Sequence, residues 1–345
     1  MNMKKVAAIT AALALTIPLV SSCSSNSTGD SIDVMMDVGY LPKHAPFFAA
    51  VAEGFFDEEG LDVSLMPGSG SNNTVTSVET GRVFAGFADF GVTVMNQGRG
   101  AQVRQVNLLQ ARSSYAAVAD KASGIESWDD LKGKTVATEG AGAMVSMWPY
   151  ALNQLGYSEG DINVVHASSE SKIPGLLAHQ WDANLALAVS DAPALAALGL
   201  EPVVLNWADI GISLYGNGMV VSNETIENEP EKVERFNRAL QKGFLWACEN
   251  PEQTYKDFNA EVQGYEESTI LLALEEQCAL NWQSDTTKDP FGTMTDEGVQ
   301  EMIDVAQEYL GMDPSVTITP DQVYTNEFIT PITQGTVIAA PSQEK

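Results

Sequence analysis

Polar and aromatic side chains crowd the loop that follows the first predicted strand. The stretch DVGYLPKHAP begins with an aspartate and brings Tyr40, Lys43 and His44 together within a few residues. Tyr40 can stack on a planar ring or pack against a hinge, and His44 can hydrogen-bond a ligand or cap the local backbone. Lys43 is expected to be a solvated loop lysine. These residue types predict a loop that contacts a small ligand.

Two more loops in the first part of the chain carry candidate ligand contacts. Gly70, Ser71 and Asn72 precede a polar helix, where free backbone N–H groups and hydroxyls can hold the polar edge of a ligand. Asp89 and Phe90 follow the next predicted strand. The carboxylate of Asp89 can accept a hydrogen bond from a ligand amino group, or it can cap the following helix.

The middle of the chain supplies a second set of candidates. Gly140 and Gly142 offer backbone N–H groups at the start of a helix, and Trp148 lies within reach of the same helix end. The segment SDAP is expected to end a strand, and its Asp191 is the carboxylate candidate of this part of the chain. Tyr215 lies where the chain is expected to cross between two units, so it is either a ligand contact or a hinge packing residue.

The composition limits the classes of partner. The chain has 345 residues, of which 44% are apolar, and a net charge of −28, so it can bury a sizeable core and is long enough for two domains. Such acidity argues against nucleic acid as a partner. No metal site is predicted, since the three histidines lie far apart and neither Cys248 nor Cys278 has a second ligand at metal spacing. No motif predicts a cofactor.

The N-terminus has the features of an export signal. Lys4 and Lys5 precede an apolar run at residues 6–20, which is too short for a stable membrane span and ends in the sequence VSSC at Cys23. This pattern resembles a bacterial lipoprotein signal, which implies that residues 1–22 are removed, that Cys23 is acylated, and that residues 23–31 form a flexible tether. An ordinary secretory signal with an incidental cysteine is the alternative.

Two further cysteines remain in the exported chain. Cys248 and Cys278 lie on neighbouring predicted helices, and an oxidising compartment allows them to pair. The sequence does not give the distance between them, so a disulfide and two free thiols both stay open. We expect the disulfide.

Strands and helices alternate along the chain. Apolar runs at residues 61–66, 135–138 and 163–166 predict strands, and helical patterns separate them. This order predicts an α/β protein with doubly wound, mostly parallel sheets, in which ligands bind beyond the carboxyl ends of the strands.

The alternation restarts in the middle of the chain, which predicts two lobes. The chain is expected to leave the first unit near Val118 and to return near Met219. The predicted first lobe therefore comprises residues 32–118 and 219–345, and the second lobe comprises residues 119–218.

Five segments together resemble the substrate-binding proteins of ABC transporters for nitrate, sulfonates, taurine and thiamine-pyrimidine precursors. They are GFFDEEGLDV, PGSGS, TGRVFAGFADFGV, SGIESWDDLKGKTVAT and NGMVVSNETIENEPEKVERFNRALQKGFLWACENPE. The resemblance covers about residues 33–260. It implies a two-lobed, type II-like periplasmic binding protein fold with a ligand cleft between the lobes. It also implies a monomer outside the cytoplasm that delivers a small molecule to an ABC permease and its ATPase.

The ligand class follows from the branch of the family and from the charges. His-Ala-Pro at its distance from the preceding aspartate resembles the pyrimidine-precursor branch, although Val38 stands where that branch has a tryptophan. Asp89, Asp191 and the aromatic candidates suit an aminopyrimidine, whereas a sulfonate, taurine or nitrate needs cationic donors. Most arginines fall outside the proposed loops, and only Arg112 is placed to reach the cleft.

An enzyme of pyrimidine synthesis with the same fold is the competing class. Those relatives hold a pyridoxal cofactor with a lysine and place a histidine four residues later, in the loop after the third strand. Ala88 and Val92 occupy these positions here, and the cysteine-rich iron-binding motif of the enzymes is missing. The resemblance therefore predicts a binding protein and not an enzyme.

Overall fold

The computed structural model describes residues 29–140, 143–283 and 288–344. Those ranges contain twelve strands, and the longer ones are mostly apolar runs bounded by glycine, proline or polar residues. In chain order they are β1 (Asp30–Met35), β2 (Val38–Gly39), β3 (Leu61–Met66), β4 (Gly68–Ser69), β5 (Ala85–Asp89), β6 (Val103–Leu108), β7 (Tyr115–Asp120), β8 (Thr135–Thr138), β9 (Asn163–His166), β10 (Ala183–Leu187), β11 (Pro202–Asn206) and β12 (Asn217–Ser222).

The same ranges contain thirteen α-helices, and the longer ones turn an apolar face towards the sheets or towards neighbouring helices. They are α1 (Ala45–Ala52), α2 (Phe55–Glu58), α3 (Ser71–Glu79), α4 (Phe90–Gly98), α5 (Ala143–Leu155), α6 (Ser169–Leu177), α7 (Ala188–Ala197), α8 (Asn223–Asn228), α9 (Pro230–Glu249), α10 (Pro251–Glu261), α11 (Glu267–Ala279), α12 (Asp296–Glu308) and α13 (Pro320–Val323).

The long strands form two five-stranded sheets. The first sheet has the order β3-β1-β5-β12-β6 and the second has the order β11-β7-β10-β8-β9. Four strands of each sheet run parallel, while β12 in the first sheet and β7 in the second run in the opposite direction. Each sheet with its helices forms one lobe, which confirms the predicted α/β architecture of two mostly parallel units.

The chain crosses between the sheets twice, and the two crossings lie side by side. The N–H of Gly216 donates to the carbonyl of Gln110 at 2.9 Å, and the N–H of Ser113 donates to the carbonyl of Leu214 at 2.6 Å. Val118, where the sequence predicts the first crossing, lies inside β7 of the second sheet. The apolar run that forms β7 continues the strand pattern of β6 and so hides the boundary.

The C-terminal part contacts both lobes. Helix α12 packs on α4 of the first lobe, and the ring of Tyr309 just beyond α12 stacks on the ring of Tyr150 in α5 of the second lobe, with 5.2 Å between centroids. One continuous apolar cluster accordingly includes Phe90 from the first lobe, Met302 from α12 and Trp148 from the second lobe. Although the sequence assigns residues 219–345 to the first lobe, α12 bridges the two.

The strand that the sequence predicts just before Asp191 stops earlier. Strand β10 ends at Leu187, and Asp191 lies in the first turn of α7. The small apolar residues of this segment suit both a strand and a buried helix, so the spacing of apolar residues does not distinguish the two structures.

Within the described ranges, no helix has the length and hydropathy that a membrane span requires.

The predicted disulfide is confirmed. Cys248 in α9 is bonded to Cys278 in α11, with 5.8 Å between their Cα atoms. The bond joins α9, which packs on α1 and α2, to α11, which packs on the turn at residues 42–44 and on α7 of the second lobe.

Replacing both Cys248 and Cys278 with serine should lower the free energy of unfolding by about 2–4 kcal/mol, because the disulfide restricts the unfolded chain. Urea unfolding followed by circular dichroism measures the change. Dithiothreitol should shift the wild-type midpoint towards that of the double variant and should leave the double variant unaffected. Equal midpoints for the oxidised wild type and the double variant would contradict this expectation.

Candidate functional site

A cavity of about 540 Å³ lies between the two sheets. Its walls come from the carboxyl ends of parallel strands in both sheets and from the starts of the reversed strands β7 and β12. The strand register explains why these strand ends lie together, since Asp89 pairs with Asn217 in the first sheet and Leu187 pairs with Tyr115 in the second. The carboxyl ends of β5 and β10 and the starts of β12 and β7 therefore lie at one cleft.

The carboxylate of Asp37 is the centre of the first wall. Its Oδ1 accepts from the Nε2 of His44 at 2.8 Å and from the N–H of Val38 at 2.8 Å. Its Oδ2 accepts from the Nζ of Lys43 at 2.6 Å and from the Nδ2 of Asn217 at 2.9 Å. Burial opposes ionisation, but Lys43 and His44 outweigh it and hold the pKa of Asp37 well below its usual range.

His44 has a structural role in this wall. Its ring is fully buried, and its Nδ1 accepts a hydrogen bond from the N–H of Leu41 at 3.0 Å. The proton of the neutral ring therefore lies on Nε2, which donates it to Asp37. Burial also lowers the pKa of His44, which favours the neutral form. Both ring nitrogens are occupied, so His44 orients Asp37 and caps the local backbone.

Asp89 both caps a helix and lines the cavity. Its carboxylate accepts from the N–H of Val92 at 2.9 Å, at the start of α4, and its own N–H donates to the Oγ of Ser71 at 3.1 Å. Burial raises the pKa of Asp89 to about 6. The two roles that the sequence left open are therefore compatible in one side chain.

Lys172 is the centre of the opposite wall. Its buried Nζ lies 2.9 Å from Glu139 Oε1 and 3.8 Å from Asp191 Oδ2, and it donates to the carbonyl of Leu185 at 3.1 Å. The Nδ2 of Asn184 also reaches Asp191 Oδ2, at 3.4 Å. Burial raises the pKa of Asp191, while Lys172 opposes that rise.

Two further groups of the second lobe face the cavity. The hydroxyl of Thr138 at the end of β8 is buried and has no hydrogen-bond partner among the described residues. Tyr115 is the one aromatic side chain among the described lining residues, and its ring meets the edge of Trp207 at 5.4 Å. Burial raises the pKa of Tyr115 well above its usual value, so its hydroxyl stays a donor.

Three of the predicted ligand contacts line the cavity: Ser71, Asp89 and Asp191. The structure places the predicted aromatic contacts elsewhere. The hydroxyl of Tyr40 donates to the carbonyl of Leu65, and Trp148 packs beside Trp207 in the core. Large rings gain most from burial, and these rings find it in packing.

The remaining predicted contacts also lie outside the cavity lining. Phe90 is fully buried against Tyr215, whose hydroxyl accepts from the N–H of Thr295 at 3.0 Å and so ties the second crossing to the start of α12. The N–H of Gly70 donates to the carbonyl of Asp37, and the Oδ1 of Asn72 accepts from Asn96. Gly140 is exposed.

Four predictions concern residues wholly or partly outside the described ranges: the backbone contact of Gly142, acylation of Cys23, removal of residues 1–22 and the tether at residues 23–31, whose last two residues belong to β1.

Sequence reasoning missed several wall residues. The prediction that Lys43 is solvated is wrong, because its side chain is only 4% exposed and pairs with Asp37. Lys172, Asn217 and Thr138 were not singled out, since nothing in their spacing separates a buried polar residue from a solvated one. Arg112 does not line the cavity, and its guanidinium donates to the carbonyl of Ala279 instead.

The described residues contain no group of three or more His, Cys, Asp or Glu side chains that fits a metal ion.

Comparison with known proteins places this architecture in a family. The family described as NMT1/THI5 like matches residues 41–254. Riboflavin-binding protein RibY of Chloroflexus aurantiacus is 27% identical over 313 residues, which cover 86% of each chain. Formylaminopyrimidine-binding protein of Halalkalibacterium halodurans is 23% identical over 308 residues, covering 84% of this chain and 90% of the relative.

A similar enzyme and a similar solved structure complete the comparison. The 4-amino-5-hydroxymethyl-2-methylpyrimidine phosphate synthase THI11 of Saccharomyces cerevisiae is 24% identical over 241 residues, covering 66% of this chain and 70% of the enzyme. The periplasmic aliphatic sulphonate binding protein SsuA from Escherichia coli superimposes with a TM-score of 0.68 at 14% identity, covering 90% of this chain and 96% of that one. The chain therefore has the two-lobed periplasmic binding protein fold and belongs to the NMT1/THI5-like family.

Proposed function

We propose that this protein is the extracytoplasmic substrate-binding protein of an ABC importer and captures a small planar heterocycle, such as a thiamine pyrimidine precursor, between its lobes. The observation that carries the proposal is the cavity of about 540 Å³ with walls from both sheets. Its size is in the range of small-molecule sites. The names of the riboflavin-binding and formylaminopyrimidine-binding relatives support a heterocyclic ligand.

The charges of the cavity favour a hydrogen-bond donor over an anion. The described lining contains no arginine, and its two lysines, Lys43 and Lys172, are each engaged by carboxylates. Four carboxylates line the cavity: Asp37, Asp89, Glu139 and Asp191. A sulfonate, taurine or nitrate needs cationic donors that are free to bind it. An amino-substituted ring instead supplies N–H donors to carboxylates and to the hydroxyl of Thr138, which has no partner in the described part of the chain.

Ligand capture is proposed to close the cleft. A ligand between Ser71 and Asp89 on one side and Thr138 and Asp191 on the other makes its full set of contacts only when the lobes are together. Binding then shifts the population towards the closed form, which a permease recognises. Opening must also displace α5 from α12, because Tyr150 stacks on the tyrosine that follows α12.

A thermal-shift screen with aminopyrimidines, riboflavin, taurine, alkanesulfonates and nitrate identifies the ligand class, because a ligand of the native state raises the melting temperature. With the ligand found, Asp191→Ala should weaken binding by about 1–3 kcal/mol, since a buried hydrogen bond is lost. Isothermal titration calorimetry measures the affinity. Small-angle scattering with and without ligand should show a smaller radius of gyration for the complex.

Asp209→Ala is the matched control, because Asp209 is an exposed carboxylate of the same lobe outside the cavity lining. It should keep the wild-type affinity. Unchanged affinity for Asp191→Ala would show that Asp191 has a structural role and does not contact the ligand. An unchanged radius of gyration would exclude closure. If only anions raise the melting temperature, the ligand is an anion and not a heterocycle.

Lipid anchoring is the proposed means of retention outside the cytoplasmic membrane. Cys23→Ala should release the protein from the membrane fraction or leave the precursor uncleaved, because the thiol that carries the acyl chains is absent. Fractionation and mass spectrometry of the mature N-terminus measure both outcomes. Cys248→Ala is a control that should keep the anchor. An unacylated N-terminus in the wild type would show that the signal is an ordinary secretory one.

The protein is proposed to have no catalytic activity, although relatives of the same family include named synthases. Ala88 and Val92 stand where the resemblance places the lysine and histidine of the enzymes, and both cavity lysines are held by carboxylates. Incubation with pyridoxal phosphate should therefore give no Schiff-base absorbance. Borohydride trapping followed by peptide mass spectrometry tests each lysine, and a trapped adduct at Lys43 or Lys172 would favour the enzyme.

A further inference from the structure

Asp89 differs from the other carboxylates of the cavity in its lack of a basic partner. Asp37 pairs with Lys43, while Glu139 and Asp191 both pair with Lys172. Asp89 forms no ion pair with any described residue, and its carboxylate lines the cavity. A partly buried carboxylate without a cation is costly, so an occupant of the cavity that donates to it gains most at this position.

The surroundings of Asp89 leave room for such a donor. A carboxylate offers about four acceptor positions. That of Asp89 accepts from the N–H of Val92 at 2.9 Å and from the backbone of Gly91 at the helix cap, which leaves acceptor positions for a ligand. The groups that face it are Asp37 and Lys43 from the loop after β1, Tyr115 from β7 and the hydroxyl of Ser71 in α3. Lys43 is the one cation of this set, and Asp37 binds it.

We propose that Asp89 is the specificity-determining carboxylate of the cleft: its ionised form accepts an N–H donor of the ligand, and its protonation by external acid weakens capture. The inference rests on the proposed function, because it assigns a ligand contact within the same cleft. It adds a requirement for an N–H group on the ligand edge at β5 and a dependence on external pH. The opposite wall, where Lys172 serves two carboxylates, contacts the rest of the ligand.

The direction of the pH dependence follows from linkage. Burial raises the pKa of Asp89 to about 6 in the ligand-free protein. A ligand N–H that binds the carboxylate favours ionisation and lowers that pKa, so the proton and the ligand compete. Affinity is therefore highest above the free pKa and falls as the pH drops through about 6.

The test uses the mature full-length chain with two probes that carry N–H donors, 4-amino-5-hydroxymethyl-2-methylpyrimidine and riboflavin. Calorimetry with whichever probe binds should give a Kd about tenfold larger at about pH 5 than at about pH 7.5, as expected for a group with a pKa near 6 that must ionise. Asp89→Asn should abolish most of this tenfold change. Asparagine is also a good helix cap, so α4 should remain folded.

Two controls separate Asp89 from other carboxylates. Asp62→Asn changes an exposed carboxylate on β3 and should keep the pH dependence. Carbon-13 spectra of aspartate-labelled, ligand-free protein should show a carboxyl that titrates near pH 6 and is lost in Asp89→Asn. Asp257 in α10 provides an internal reference, since burial raises its pKa to about 6 as well and it lies outside the cavity.

The outcomes are distinguishable. Binding with equal affinity at both pH values would overturn the role of Asp89 and leave the proposed transport function intact. The same pH change in wild type and Asp89→Asn would assign the dependence to another group. An Asp89 carboxyl already ionised at pH 5 in the free protein would overturn the inference without any ligand. Binding of neither probe would overturn the heterocycle class, and this inference with it.

Discussion

The first wall of the cleft depends on keeping the carboxylate of Asp37 charged inside the protein. Moving a charge out of water costs several kcal/mol unless partners replace the lost solvation. Val38 and His44 bond to one oxygen, and Lys43 and Asn217 bond to the other. These donors come from the loop after β1 and from the start of the returning strand β12. Satisfying one carboxylate therefore fixes the relative positions of two segments that are distant in sequence.

The second wall has a buried cation at its centre, which likewise needs partners that replace the lost solvation. One buried ammonium, that of Lys172, is shared by Glu139, Asp191 and the carbonyl of Leu185. The cavity lysine of each lobe is thus bound by carboxylates, and each lobe contributes more carboxylates than cations to the cavity lining. The occupant that balances this arrangement best is one that donates hydrogen bonds.

Much of the fold was predictable because local pattern and tertiary structure agree. The predicted bounds of β3, β8 and β9 match the observed ones, since these short strand-forming runs end at glycine, proline or polar residues. The start of β7 was missed because its alanine-rich run gives no sign of a crossing. Strand ends also located Asp89 and Asp191 near the cleft, although Asp191 lies one helical turn into α7.

The rest of the site was not predictable from one sequence. Lys43 and a solvated lysine look alike in sequence, and only the position of the Asp37 carboxylate decides between them. Tyr40 and Trp148 are aromatic residues near the cleft loops, yet their burial depends on neighbours brought by distant segments. Residue type identified which side chains can bind a ring, whereas packing determined which of them face the cavity.

The two crossings between the lobes belong to the same hydrogen-bond network as the first wall. Asn217, which bonds to Asp37, donates its N–H to Gln110 Oε1 at 2.9 Å, and the Nε2 of Gln110 donates to Gln277 at 2.6 Å. Gln110 and Asn217 flank the two crossings, and Gln277 precedes the disulfide cysteine of α11. Buried polar networks have few alternative arrangements of comparable energy. Lobe motion should therefore preserve this chain and bend the crossings beyond it, so that the Asp37 wall stays formed while the Lys172 wall moves.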